Sequence, residues 1–149
     1  LDTLWEKYGK FVIPFSMKTG WDEVLRALGY DLKGFLDSLD AMHYFIDHIV
    51  YPMNLRGPSF RCVLQDDGSL LLHYYSSRTG FPGIVKGIVH EVSQRIFGIE
   101  VEMTIEKRRQ EHISSIVKEH IIFSITEVFP SRFFFASRQL RAFKMCKTD

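Results

Sequence analysis

Ser59-Phe-Arg-Cys-Val-Leu64, Gln65-Asp-Asp-Gly-Ser69 and Leu70-Leu-Leu-His-Tyr-Tyr-Ser-Ser-Arg78 decide the fold of this chain. Two strand-forming runs flank an Asp-Gly turn, the pattern of an antiparallel hairpin. Alternate side chains of a strand share a face, so Tyr74, Ser76 and Arg78 form a row about 13 Å long. Two hydroxyls and a guanidinium in line, with no carboxylate close by in sequence, suit an anionic ligand. The arginine offers a bidentate grip and the hydroxyls offer further donors. The plainer alternative packs Tyr74 in the core and leaves Ser76 and Arg78 in water.

Downstream of the hairpin, Thr79 to Gly83 reads as a loop. Ile84 to Phe97 reads as a helix with Ile84, Val85, Ile88, Val89, Val92 and Ile96 on its apolar stripe, closed by Gly98. Ile99 to about Lys107 and His120 to Thr126 alternate as two more strands, with Arg108 to Glu119 between them as a long hairpin loop. Upstream, Asp2 caps a helix to about Met17, with Leu4, Tyr8, Phe11, Val12 and Phe15 on its apolar side. Pro14 kinks or shortens it, and Gly20 closes it. A short helix follows, Trp21 to Leu28, with Val24, Leu25 and Leu28 inward and Gly29 as its stop. Leu32 to about Val50 forms one further helix, its stripe running through Leu39, Met42 and Ile46. The order predicts an α+β fold: helical segments plus a four-stranded antiparallel sheet packed with a helix.

Composition narrows the function. The 149 residues are enough for one domain with a core, and 46% apolar with 25% charged residues is an ordinary globular balance. A net charge of +1 gives no global field for nucleic acid or an anionic membrane. Two cysteines are too few for a disulfide framework or a thiolate zinc site, and they suit a reducing, cytoplasmic setting. No apolar run is long enough to span a membrane. The chain begins with Leu1, as a fragment would. After Thr126 an aromatic run, Phe129 to Phe135, gives way to Arg138, Arg141, Lys144 and Lys147. This tail is either the first strand of a following domain or a disordered end.

His43 falls on the same face as Leu39, Met42 and Ile46. An imidazole in an apolar stripe must satisfy its ring nitrogens. It is a core histidine bonded to a carbonyl or to Asp40 or Asp47, or a general base, or an axial ligand to iron. The other histidines show no metal-ligand spacing.

Leu39-Asp-Ala-Met-His43, Tyr51-Pro52, Gly57-Pro-Ser-Phe-Arg-Cys62 and Leu72-His-Tyr-Tyr-Ser-Ser-Arg78 together resemble the haem nitric oxide/oxygen-binding (H-NOX) domain. The likeness is closest to the type found in soluble guanylate cyclase β-subunits. It covers residues 1–127, without the family's first helices and hairpin, and leaves 128–149 as a linker or the truncated start of a following domain. The stretch from His43 to Pro58 is about two residues longer than the family's usual spacing. The resemblance implies a haem b cofactor with His43 as the iron ligand. Tyr74, Ser76 and Arg78 would hold the propionates, and Pro58 would pack on the macrocycle. It implies Ile84 where O2-binding members carry a tyrosine, and hence a preference for nitric oxide. Nitric oxide would weaken the bond from iron to His43 and free its helix to shift. The function implied is a nitric oxide sensor regulating guanylate cyclase and cGMP output, with a second cyclase subunit as partner. The fragment itself would not be an enzyme. Two alternatives stand beside it: a haem-free interaction module of the same fold, and a stand-alone gas sensor coupled to a signalling partner.

Overall fold

In the computed structural model, which describes residues 2–50, 57–113 and 116–128, the hairpin forms as its sequence predicts. Strand β1 (Ser59–Leu64) pairs antiparallel with β2 (Leu70–Ser76), Ser59 facing Tyr75 and Leu64 facing Leu70. Gly68 makes the turn at φ 87°, a conformation that costs glycine little. Asp67 accepts from both the backbone N–H and the hydroxyl of Ser69.

The strand stops at Ser76, short of Arg78. The Ser76 hydroxyl accepts the Arg78 backbone N–H at 3.0 Å and draws the chain out of the ladder. The expected row of three on one strand is therefore two strand residues and one in the turn that follows.

The sheet has order β1-β2-β4-β3, every neighbour antiparallel. Strands β3 (Glu100–Ile113) and β4 (Ile116–Val128) are longer than their sequences suggest. Residues 108–113 and 116–119, expected in a loop, continue the ladder, with Arg109 opposite His120 and Glu111 opposite Lys118. This part of the ribbon runs past the end of β2, where Ser76 faces Glu119. Residues 107–112 are all exposed there. A ribbon with two wet faces carries no apolar alternation to mark it as strand.

The inner face of the sheet buries Leu72, Tyr74, Ile121, Phe123 and Ile125. Against this core lie Val85, Val89 and Val92 of a helix α5 (Pro82–Arg95) and Phe35 and Leu36 of an earlier helix. Pro82 opens α5 at a position where its missing N–H costs nothing.

The region expected as one helix from Leu32 to Val50 is broken. Helix α3 (Leu32–Asp37) follows α1 (Asp2–Ser16) and α2 (Asp22–Ala27). Asp31 caps α3 by accepting the Gly34 N–H at 2.7 Å. Ser38 then interrupts, its hydroxyl reaching the carbonyls of Leu28 and Gly34 at 2.7 and 2.9 Å. Helix α4 (Leu39–Phe45) continues into a π-helical turn, Ile46–Val50.

Helix α1 turns most of its expected apolar stripe outward, with Val12 alone half-buried. Leu4, Tyr8, Phe11 and Phe15 are all more than half exposed, whereas Gly9 and Ile13 are buried. Backbone approach decides this. A Cβ on Gly87 would lie 2.2 Å from the Glu6 carbonyl oxygen, and one on Gly9 would lie 2.3 Å from that of Ile84. Gly9, Gly83 and Gly87 let α1 and α5 touch backbone to backbone, and that seam fixes the rotation of α1. Pro14 sits inside α1 without ending it. The break comes at Gly20, φ 100°, within a π-helical turn Met17–Trp21.

Candidate functional site

Two helical layers leave a cavity of about 440 Å³ above the inner face of the sheet. One wall comes from α1 and α5, the other from α3 and α4 with β1. The six residues singled out in the sequence, His43, Pro58, Tyr74, Ser76, Arg78 and Ile84, all line it.

His43 is supplied by α4. Its Nδ1 lies 2.8 Å from the Leu39 carbonyl oxygen, one turn back. A carbonyl only accepts, so Nδ1 is the donor, and in the neutral ring Nε2 is the nitrogen left to bind a ligand. Neither Asp40 nor Asp47 serves the imidazole; both hold backbone of the β1 segment. Asp40 accepts the Phe60 N–H at 2.6 Å, and Asp47 accepts the Gly57 N–H at 2.7 Å. Asp37 accepts the Cys62 N–H at 3.2 Å. β1 is an edge strand, and three carboxylates of the helical segment fasten its outward N–H groups and its approach. The result ties the His43 helix to Pro58. Phe60 stacks on the His43 ring at 5.6 Å and leans on Tyr74 at 5.5 Å.

The polar end is built from β2 and its turn. Tyr74 and Ser76 are buried, and Arg78 is exposed at the rim. Burial pushes the Tyr74 hydroxyl above its ordinary pKa, opposed by the Ser76 hydroxyl, reinforced by the Glu119 charge and opposed by Arg78. It remains a protonated donor. Arg78 has no carboxylate partner among the described residues. Cys62 lies outside this chemistry: burial drives its thiol up to about 11, so it stays protonated and inert.

The remaining lining is mostly apolar. Ile84, Val85, Ile88 and Val89 come from α5, and Leu39 and Met42 come from the His43 side. Of the apolar stripe expected on α1, only Val12 reaches the cavity. Val12, Ile13 and Ser16 line the cavity, and Trp21 joins them from the π-helical turn. These three α1 residues lie three, four and seven positions after Gly9, so the glycine face was the available signal. Ser16 and Trp21 add a hydroxyl and an indole that α5 does not provide. Among the described residues no group of three or more His, Cys, Asp or Glu side chains could hold a metal ion. A lone imidazole can bind iron firmly only if another group supplies the equatorial ligands.

Comparison with known proteins bears on this geometry. Residues 1–105 match the family model described as haem-NO-binding. The chain is 59% identical over 128 residues to the soluble guanylate cyclase gcy-35 of Caenorhabditis elegans, covering 86% of this chain and 19% of that protein. It is 34% identical over 144 residues to the guanylate cyclase soluble subunit beta-2 of Rattus norvegicus, covering 97% and 20%. The chain thus spans about a fifth of the length of these relatives. Among solved structures, a Cs H-NOX mutant superposes with TM-score 0.68 at 16% identity, over 87% of this chain and 64% of that one. The unliganded H-NOX protein from K. algicida superposes with TM-score 0.66 at 19% identity, over 87% and 64%. At such identities the structures speak for the fold, and the family model speaks for descent: the chain belongs to the haem-NO-binding (H-NOX) family.

Proposed function

We propose that this chain is a haem-based nitric oxide sensor domain that regulates the guanylate cyclase activity of a longer protein, in partnership with a second cyclase subunit. The observation that carries the reading is the meeting, on one cavity, of an imidazole whose Nδ1 is held by the Leu39 carbonyl and a polar rim of Tyr74, Ser76 and Arg78, whose guanidinium has no carboxylate partner among the described residues.

The residues fit haem b. The 440 Å³ cavity lies in the range of cofactor pockets, and its lining is mostly apolar, with polar groups at His43, at the Tyr74–Ser76–Arg78 end and at Ser16 and Trp21. His43 would hold the iron. Tyr74, Ser76 and Arg78 would hold the two carboxylates, and Pro58 would press on the macrocycle. When bound, haem supplies the iron that captures a diatomic gas. The chain supplies the rest. The Leu39 carbonyl fixes the tautomer and direction of His43. Asp40 and Asp47 tie any displacement of the His43 helix to Phe60 and to Gly57, next to Pro58. A two-state shift of α4 against β1 is the allosteric element this proposes.

Gas preference follows from the wall that α5 presents. Ile84 and Ile88 offer no hydrogen-bond donor, which favours nitric oxide over O2. Ser16 and Trp21, which line the same cavity, offer donors that would serve the opposite preference. The test uses the intact protein, loaded with haem and freshly reduced. Its absorption spectrum is expected to be the same under argon and in air and to change when nitric oxide is added. cGMP formation should rise with nitric oxide. A stable new spectrum in air would overturn the selectivity, and cyclase activity indifferent to nitric oxide would overturn the sensor reading. If air does change the spectrum, Ser16→Ala and Trp21→Phe identify the responsible donor.

The boundary of the domain belongs to the same proposal. β4 carries it to Val128. The tail from residue 129 onward, read as a linker or the start of a following domain, lies outside the described residues.

A further inference from the structure

Glu119 is 1% exposed, on the inner face of β4, and the proposed function makes no use of it. A buried carboxylate is costly unless it is both paired and hydrogen-bonded. Here it is both. It stands directly across the ladder from Ser76. One of its oxygens accepts the backbone N–H of Gly80 at 3.2 Å. The other accepts from Arg108 of β3, with Nε and one terminal nitrogen each at 2.7 Å.

The Gly80 contact matters because of what the turn carries. Residues 77–81 lie between β2 and α5, and within them Arg78 and Phe81 line the cavity. The turn is fastened at two points: the Ser76 hydroxyl takes the Arg78 N–H, and Glu119 takes the Gly80 N–H. Gly80 has φ 90°, so the turn is held in a left-handed conformation rather than spliced into either neighbour. Charge matters as well. Glu119 is close enough to Tyr74 to act on its hydroxyl. An uncompensated carboxylate there would repel acid groups at the rim, and Arg108 cancels it.

We propose that Glu119 is a positioning residue of the anion rim: from the neighbouring strand it fastens the turn that presents Arg78, while Arg108 neutralises its charge. The inference rests on the haem reading, with carboxylate-bearing haem as the ligand. It also gives the long β3–β4 ribbon a role, since Arg108 lies where the ribbon leaves the sheet.

The test follows haem transfer from the intact, haem-loaded protein to excess apomyoglobin. Arg78→Ala and Glu119→Ala are each expected to speed release about tenfold, a change of ~1.4 kcal/mol. The double variant should be no faster than Arg78→Ala alone, because both substitutions remove one interaction. Arg108→Ala leaves the Gly80 bond in place but leaves the buried Glu119 charge uncompensated beside the rim, and should speed release; Arg108→Lys, which keeps the charge, should bring release back toward the unaltered rate. That pair carries the test if Glu119→Ala fails to fold, since a merely structural role would not be rescued by the charge alone. Release from Glu119→Ala at the unaltered rate, effects that multiply in the double variant, or an Arg108→Lys as fast as Arg108→Ala would overturn the inference. A protein that takes up no haem at all would instead overturn the reading beneath it.

Discussion

The two walls of the cavity are held together by different physics. The α1–α5 wall is a backbone seam in which three glycines bring helices so close that no side chain fits between them. The wall of α3, α4 and β1 is a set of single hydrogen bonds in which Asp37, Asp40 and Asp47 accept N–H groups of the edge strand and its approach. A close-packed seam resists displacement because every atom must move at once. A row of charge-assisted bonds at a partly exposed edge can be broken one at a time. The wall that carries His43 is therefore expected to yield more easily than the wall that carries Ile84.

That contrast can be broken at the seam first. Gly87→Ala places a methyl group 2.2 Å from the Glu6 carbonyl oxygen and 2.7 Å from the Lys10 nitrogen, both backbone atoms. It should cost about 3 kcal/mol in urea unfolding and abolish haem uptake. A Gly87→Ala protein as stable as the unaltered one would show that α1 and α5 slide apart freely. Asp40→Ala is gentler. It leaves the Phe60 N–H without its acceptor and should cost about 1 kcal/mol. Amide exchange should quicken at Phe60 and along β1, while α5 is unchanged. Equal acceleration in both walls would erase the distinction drawn between them.

A smaller effect comes from the outer face of the sheet. Burial lowers the pKa of His73 below 6.5, with the neighbouring His120 and Arg61 adding to the shift. His73 and His120 face each other at 3.0 Å, and Glu111 lies 3.6 Å from the far nitrogen of His120. The unfolded chain binds the proton more readily than the folded one. Stability from this source is therefore complete above about pH 6.5 and is lost as pH falls below it. The unfolding midpoint should decline between about pH 7 and pH 5, and His73→Gln should flatten that slope. An unchanged slope would assign the pH dependence to other groups.

The same contrast separates what the sequence made legible from what it hid. The β1–β2 hairpin, the apolar stripe of α5 and the six cavity residues were readable, because each is written in side chains at a fixed period or in a motif. The orientation of α1 was not. Of the stripe Leu4, Tyr8, Phe11, Val12 and Phe15, only Val12 reaches the cavity, and the buried face is the one led by Gly9. Hydrophobic periodicity weighs side chains, whereas this contact is made by their absence. The far half of the β3–β4 ribbon was hidden for a related reason: Lys107 to His112 are exposed on both faces and leave no alternation to read. The break at Ser38 depends on the Leu28 carbonyl, ten residues away, which no local pattern reports. Ser16, Trp21 and Glu119 entered the account only when topology brought distant segments together.

On the proposed function, the Nε2 of His43 would be the one protein ligand to iron. The direct measurement is the absorption spectrum of the reduced, haem-loaded intact protein, compared with His43→Gly before and after free imidazole is added. A five-coordinate ferrous spectrum is expected in the unaltered protein, with its loss in His43→Gly and its return with imidazole. A His43→Gly protein that keeps the unaltered spectrum without imidazole would contradict it.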